Sequence, residues 1–168
     1  MLVIQIMLGG ITRLTESGLS ITEWNPITGA LPPLNLAQWQ LEFAKYKGTD
    51  QFRYINANFT LGDFKFIFFW EWFHRTWAKL MGIVFLVGFF YFLIKKQFNK
   101  DMIIPFIILF LLGMVQGAIG WIMVESGLVP KAMFINHIKL ATHFITALVL
   151  LCYTLWFALS ISVPSRMK

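Results

Sequence analysis

Two histidines, His74 and His143, lie inside long apolar runs of the sequence. Each is followed by 20 residues before its run ends, at Ile94 and at Val163, which corresponds to about 30 Å of α-helix. In two parallel membrane helices, both imidazoles would lie at one depth near the bilayer edge, where ionisable groups usually face protein and carry function. Imidazoles at one level can hold a haem iron from both sides. The pair predicts a haem site; interfacial histidines that meet only headgroups or water are the alternative.

Glu71 precedes His74 by three residues, so the two side chains share one face of a helix. Glu-x-x-His is half of a di-iron carboxylate motif, but that site needs a second copy and further carboxylates. The membrane runs contain no second copy, and a lone zinc site lacks ligands for the same reason. A purely interfacial carboxylate paired with Arg75 or Lys79 remains the alternative to a functional Glu71.

Small residues follow both histidines on their helix faces: Ala78, Gly82 and nearby Gly88 after His74, and Ala147 after His143. A porphyrin is flat and wide, so it needs shallow side chains beside it. This pattern favours the haem interpretation of the two histidines.

Gly113 and Gly117 form a Gly-x-x-x-Gly pattern, followed by Gly120, which predicts a smooth face for close helix packing. Gln116 in the same run is polar at membrane depth and should face protein or ligand. His137 is predicted to be a solvated histidine in an outer loop.

The composition excludes an ordinary water-soluble domain. Of the 168 residues, 58% are hydrophobic and 13% charged, against about 45–50% and about 25% in soluble domains. The net charge of +6 comes from basic residues between apolar runs rather than from a basic patch, which argues against nucleic-acid binding. Cys152 is the one cysteine, so neither an intramolecular disulfide nor a cysteine metal site can form.

The apolar runs predict an all-α, polytopic membrane four-helix bundle with an incomplete first helix. Three runs are long enough to cross a bilayer core of about 30 Å. A fourth ends at Gly9-Gly10 and is interpreted as the end of a truncated membrane helix. The predicted organisation is helix end 1–9, outer loop 10–65, membrane helix 66–94, inner loop 95–101, membrane helix 102–124, outer loop 125–139, membrane helix 140–163 and inner tail 164–168.

Lysines set the predicted direction of these helices. The short loop 95–101 carries three lysines and one acid, and the tail 164–168 carries two basic residues and no acid. Basic loops stay on the cytoplasmic side, or on the matrix side in mitochondria. We therefore expect a multi-pass protein of a bacterial plasma membrane or mitochondrial inner membrane. The basic residues are Lys95, Lys96, Lys100, Arg166 and Lys168.

The outer loop 10–65 is predicted to contain a short amphipathic helix. Asn35 is a suitable N-cap, and Trp39, Phe43 and Tyr46 fall on one helical face. Such a helix would lie on the outer membrane surface or cap the bundle.

Several segments, in order along the chain, resemble the haem A synthase family. Gly9 to Ser20 (GGITRLTESGLS) resembles an outer-loop signature, which Trp24-Asn25-Pro26, Gly29 and Pro32-Pro33 continue. Residues 64–67 (FKFI), leading to Glu71-Trp72-Phe73-His74-Arg75, resemble the glutamate–histidine helix. Residues 116–128 (QGAIGWIMVESGL) and Leu140-Ala141-Thr142-His143 resemble a further helix signature and the second ligand motif.

The resemblance implies an enzyme that oxidises the C8 methyl of haem O to a formyl group, giving haem A for cytochrome c oxidase. It also implies half of an eight-helix fold, with His74 and His143 as axial ligands of the haem iron and Glu71 as the catalytic carboxylate. Haem O would be the substrate in this half, and a haem b is expected in a C-terminal half. Arg13, Arg75 and Lys139 are candidates to neutralise the haem propionates.

The chain departs from the family pattern in its length and at one motif. It matches the N-terminal half, lacks the cysteine pair of one subclass, and has Ile138-Lys139 where Tyr-Arg is usual. A C-terminal half in trans, haem O synthase and a second copy of the chain are therefore expected partners, beside the lipid bilayer and haem O or haem A. The alternative is a non-catalytic bis-histidine haem protein, either a cytochrome b-type electron carrier or a haem-holding assembly factor.

Overall fold

A computed structural model describes residues 1–23 and 31–163, which are helical wherever they form regular secondary structure. The motif residues Trp24, Asn25, Pro26 and Gly29, and the tail charges Arg166 and Lys168, lie outside the described residues. The predicted all-α architecture is confirmed. The helices are α1 (Leu2–Leu14), α2 (Leu36–Lys47), α3 (Asp50–Tyr54), α4 (Leu61–Ile94), α5 (Lys100–Glu125) and α6 (His137–Ser162).

Three helices, α4, α5 and α6, are long and apolar enough to cross a membrane, with mean hydropathies of 2.0, 2.4 and 2.2 in their most apolar windows. The protein is therefore an integral, multi-pass membrane protein. The ends of these helices are called outer and inner here according to the predicted topology, so that α1 and α5 run outward and α4 and α6 run inward.

Each long helix extends beyond the apolar run that predicts it. A capping box between Thr60 and Asp63 starts α4 at Leu61, five residues before the predicted span 66–94. The side chain of Asn136 caps α6, so His137 is the first residue of a helix and not a loop residue as predicted. The helix α1 likewise continues through Gly9-Gly10 to Leu14, because the flanking residues keep their helical hydrogen bonds.

The four long or apolar helices form a ring. The helix α1 packs on α4 and on α6, and α5 packs on the same two helices. Since α4 and α6 are not among the closely packed pairs of described helices, they face each other diagonally across the ring. This arrangement places the helices that carry His74 and His143 on opposite sides of the interior.

The outer part of α4 is covered by α2 rather than by lipid. The side chain of Asn35 accepts a hydrogen bond from the backbone N–H of Gln38, which confirms the predicted cap of α2. The rings of Phe43 and Tyr46 stack on Phe64 of α4, with centroid distances of 5.0 and 5.3 Å. This contact explains why α4, at about 51 Å, is longer than a bilayer core of about 30 Å requires.

Aromatic side chains fill the inner end of the ring. Phe85 of α4 stacks on Phe110 of α5 with a centroid distance of 5.8 Å, and Phe106 of α5 meets Phe157 of α6 edge-on at 4.8 Å. Such pairs pack α4, α5 and α6 together. These contacts join the inner parts of α4, α5 and α6.

Candidate functional site

A cavity of about 1700 Å³ occupies the centre of the ring, and both His74 and His143 line it. Small-molecule pockets commonly span about 300–1,000 Å³, so this space can hold a large ligand. The two imidazoles line this one space from α4 and α6, helices on opposite sides of the ring. The structure therefore brings together the two histidines that the sequence pairs by depth.

Glycines on neighbouring helices make room for both imidazoles. A Cβ at Gly9 of α1 would lie 3.4 Å from Nε2 of His74, and a Cβ at Gly120 of α5 would lie 2.8 Å from Cε1 of His143. A side chain at position 120 would displace the His143 ring, because 2.8 Å is shorter than van der Waals contact. The sequence predicts a helix end at Gly9. In the structure Gly9 lies within α1, where the absence of a side chain lets α1 approach His74 closely.

Gln116 of α5 is hydrogen-bonded to His143, as predicted for a polar group at this depth. Its Nε2 donates to the His143 carbonyl oxygen at 2.9 Å and lies 3.2 Å from the ring Nδ1. The hydroxyl of Thr146 donates to Oε1 of Gln116 at 2.6 Å. The amide is thus held at both ends, and it restrains the imidazole beside it.

The predicted packing face is confirmed at Gly120, which approaches His143 of α6 closely, but it is wrong at Gly113 and Gly117. A Cβ at either position would meet no atom within 4 Å, and both glycines line the cavity instead of a helix–helix contact. The helix α5 turns this smooth face toward the central space. The predicted shallow positions Ala78, Gly82 and Ala147 also line the cavity, but Gly88 is not among its lining residues.

Glu71 is buried, with 2% of its surface exposed, and both of its oxygens are engaged. Oε2 accepts hydrogen bonds from the Ser20 hydroxyl at 2.6 Å and from the Ile21 backbone N–H at 2.8 Å. Oε1 accepts from the Arg75 guanidinium at 2.5 Å. The alternative pairing with Arg75 is therefore present, but in a buried site at the cavity rim and not at an exposed interface.

Charged side chains of both signs gather at the outer end of the cavity, where Glu16, Glu23 and Glu42 line it in addition to Glu71. Arg13, Arg75 and Lys79 line it, and Arg75 also donates to the Ile21 carbonyl oxygen at 3.4 Å. Lys139 lies elsewhere, in a smaller pocket between the outer ends of α5 and α6. Of the three propionate candidates, the geometry brings Arg13 and Arg75 to the cavity and leaves Lys139 outside it.

Sequence reasoning missed the polar partners that complete this site. Ser20 and Ile21 bond to a residue some fifty positions later, and Thr146 supports Gln116 across two helices. The spacing of these residues follows no helical or strand period, so it could not predict that they meet. The glycine pair Gly9-Gly10 in an apolar helix and the glycine pattern that ends at Gly120 were the available signs of a close approach.

The donor set suits an iron tetrapyrrole better than a bare metal ion. No group of three or more His, Cys, Asp or Glu side chains that could hold a metal occurs within residues 1–23 and 31–163. A bound metal ion needs about four or more ligands, whereas a haem brings its equatorial nitrogens and needs only axial ones. The two imidazoles, the glycine-lined walls and the guanidinium groups of Arg13 and Arg75 at the rim fit a haem.

The fold and the site thus define an integral membrane helical bundle with a central cavity that His74 and His143 line from opposite helices, with His137 also among its lining residues. The chain belongs to the family described as cytochrome oxidase assembly protein, which it matches over residues 1–168. The resemblance seen in its motifs is confirmed by curated relatives named heme A synthase.

Three of these relatives show how far the similarity extends. The protein from Flavobacterium psychrophilum is 46% identical over 97% of this chain and 48% of its own length. Those from Novosphingobium aromaticivorans and Ehrlichia ruminantium are 46% and 43% identical, each over 99% of this chain and 48% of the relative. The chain therefore spans about half the length of the curated relatives it matches. No solved structure matches it.

Proposed function

We propose that this chain is the haem O-binding half of a haem A synthase, which oxidises the C8 methyl of haem O to a formyl group for cytochrome c oxidase. The relatives named heme A synthase, at 42–46% identity, support the activity. Because the chain spans about half of those relatives, the complete reaction is assigned to this chain together with a second half that carries a haem b.

The observation that carries the proposal is the pair His74 and His143 facing one cavity from diagonal helices. In the proposal, one imidazole binds each face of the haem iron. The shallow residues that line the cavity nearest the histidines, Ala78 of α4, Gly117 of α5 and Ala147 of α6, would leave room for the porphyrin. Gln116 would hold His143 in its ligating orientation through the bonds that it makes to the carbonyl and the ring.

Glu71 is the proposed catalytic carboxylate. It lies one helical turn outward from His74 and lines the same cavity, so it would border the haem without binding the iron. Bound haem O would supply the iron and the methyl group that is oxidised. Glu71 Oε2 would take up a proton released from that carbon while the electrons pass to the haem b of the second half, or its charge would stabilise positive charge on the macrocycle. Ser20 and Ile21 would keep the carboxylate in place throughout.

The guanidinium groups at the outer rim would determine which edge of the haem faces the outer end of the cavity. Arg13 and Arg75 would pair with the propionates, since charge-assisted bonds between guanidinium and carboxylate are strong and directional. A haem bound in this way has its propionate-bearing half near Glu71, and the C8 methyl belongs to that half.

A non-catalytic haem-binding protein is the second candidate. One observation favours it: the three hydrogen bonds of Glu71 fasten the outer segment to α4, which a structural carboxylate would also do. In that case the chain would bind haem through the same histidines and form no haem A.

Co-expression tests the two candidates. The chain is produced in a bacterium that makes haem O but lacks haem A synthase, either alone or with the C-terminal half of the Flavobacterium psychrophilum relative, and extracted haems are separated by chromatography. We expect haem A only when both halves are present, and none when His143→Ala replaces the chain. Bound haem with no haem A in the paired strain would support the non-catalytic protein; no bound haem in any strain would contradict both.

A further inference from the structure

The cavity continues inward well past the two histidines. On α4, Gly82 lies eight residues beyond His74, which is about 12 Å along the helix. On α5, Gly113 lies seven residues inward of Gly120, the glycine that contacts His143, which is about 10 Å. Both glycines line the cavity, and a Cβ at either would meet no atom within 4 Å. Two neighbouring helices thus open a channel at the same depth, beyond the edge of a porphyrin centred between the histidines.

This inner channel is apolar and has a floor. Phe85 and Phe110, which stack on each other, line its inner end. Within the described part of the chain, no Asp, Glu, Lys or Arg side chain lines the cavity inward of Lys79. Lys79 lies five residues after His74 on α4, and helical side chains lean toward the helix N-terminus, so its ammonium group is directed toward the outer end. The cavity is therefore lined by charged side chains at its outer end, where Arg13 and Arg75 supply guanidinium groups among several glutamates, and is hydrocarbon-like at the other end.

Haem O likewise has one charged edge and one apolar half. Its propionates lie on one edge of the porphyrin and its long isoprenoid chain lies on the opposite half. With the propionates at Arg13 and Arg75, the isoprenoid chain points toward Gly82 and Gly113. We propose that the inner channel is the subsite for the isoprenoid tail of the substrate and that Gly82 and Gly113 keep it open. This assignment rests on the proposed function, since it takes haem O as the ligand.

The channel would select for the isoprenoid tail through the space that it leaves, not through a favourable transfer energy. Lipid chains are as apolar as the side chains that line it, so a tail gains little from leaving the bilayer for the protein. A filled channel, in contrast, would exclude the tail sterically and leave the porphyrin site intact. The tail would also fix the rotation of the macrocycle, which keeps the C8 methyl in the half that borders Glu71.

The test compares haem O with haem B, which has a vinyl group in place of the tail. The chain and the variants Gly82→Leu and Gly113→Leu are placed in phosphatidylcholine nanodiscs and titrated with each haem, with the Soret band as readout. Gly88→Leu is the matched control, because Gly88 is on α4, has no atom within 4 Å of a Cβ and does not line the cavity.

We expect both channel variants to lose haem O affinity by about tenfold or more while haem B affinity changes less than about twofold. Gly88→Leu should bind both haems as the parent chain does. Equal losses for the two haems, or no loss for either, would overturn the tail subsite and leave the channel to a lipid acyl chain. Failure of the parent chain to bind either haem would instead contradict the proposed function itself, and the subsite with it.

Discussion

The hydroxyl of Ser20 donates a 2.6 Å hydrogen bond to Glu71, fifty-one residues later in the chain. The neighbouring Ile21 N–H donates to the same oxygen, and Arg75 bridges the other carboxylate oxygen and the Ile21 carbonyl. One buried carboxylate thus fastens the outer segment to α4 at the rim of the cavity. These hydrogen bonds hold the Glu71 carboxylate in a defined position, which the proposed proton transfer requires in addition to its charge.

Glu71→Gln separates the charge of this residue from its shape. The amide fills the same space, but it cannot accept from all three donors, and we expect a loss of about 1–3 kcal/mol in stability. With both halves present, the haem spectrum should persist while haem A formation falls by about 100-fold or more, as for loss of a general base. Chromatography of extracted haems measures the product.

Ser20→Ala is the control for this experiment, because it removes one hydrogen bond to the carboxylate and keeps its charge. We expect haem A formation to remain within about tenfold of the parent chain, because the carboxylate keeps its charge and its hydrogen bonds from Ile21 and Arg75. Full haem A formation by Glu71→Gln would leave Glu71 as a structural clamp.

Gln116→Leu tests the support of His143. The substitution removes the donor to the His143 carbonyl and to its ring, and second-layer partners of metal ligands typically change affinity by about 10–100-fold. We expect weaker haem binding and a smaller low-spin fraction, both measured by absorbance titration. Thr146→Val, which frees one end of the Gln116 amide, should give a smaller change in the same direction. Unaltered haem affinity in Gln116→Leu would show that the imidazole needs no such support.

The predicted topology places the paired histidines near the outer face of the membrane. A reporter fused after Lys100 should be cytoplasmic and one fused after Lys131 should be external, because three lysines lie in the short loop 95–101. Alkaline phosphatase and green fluorescent protein fusions measure the two sides. The reverse pattern would move both histidines to the inner face.

The helices could be predicted from the sequence because their signals are local. Apolar runs and the cap at Asn35 are properties of a few consecutive residues, and the depth match of His74 and His143 follows from counting along two helices. Family motifs added the role of Glu71, which residue spacing alone left open.

Contacts between helices could not be predicted in this way. The glycines Gly113 and Gly117 have the pattern of a packing face, but whether that face meets a helix or a cavity depends on how α1, α4 and α6 surround α5. The bonds from Ser20 to Glu71 likewise form only when the outer segment folds back over the ring. A single sequence gives no information on the spatial distance between residues that are far apart along the chain.

The spectrum of the haem-loaded chain tests the central assignment, His74 and His143 as ligands on opposite faces of one iron. The purified chain, reconstituted with haem, should show the low-spin absorbance and electron paramagnetic resonance signals of bis-imidazole ligation. His74→Ala and His143→Ala should each give a high-spin or haem-free protein, while His137→Ala, at the exposed start of α6, should keep the low-spin signal. A low-spin bis-imidazole spectrum that survives in both His74→Ala and His143→Ala would contradict the account.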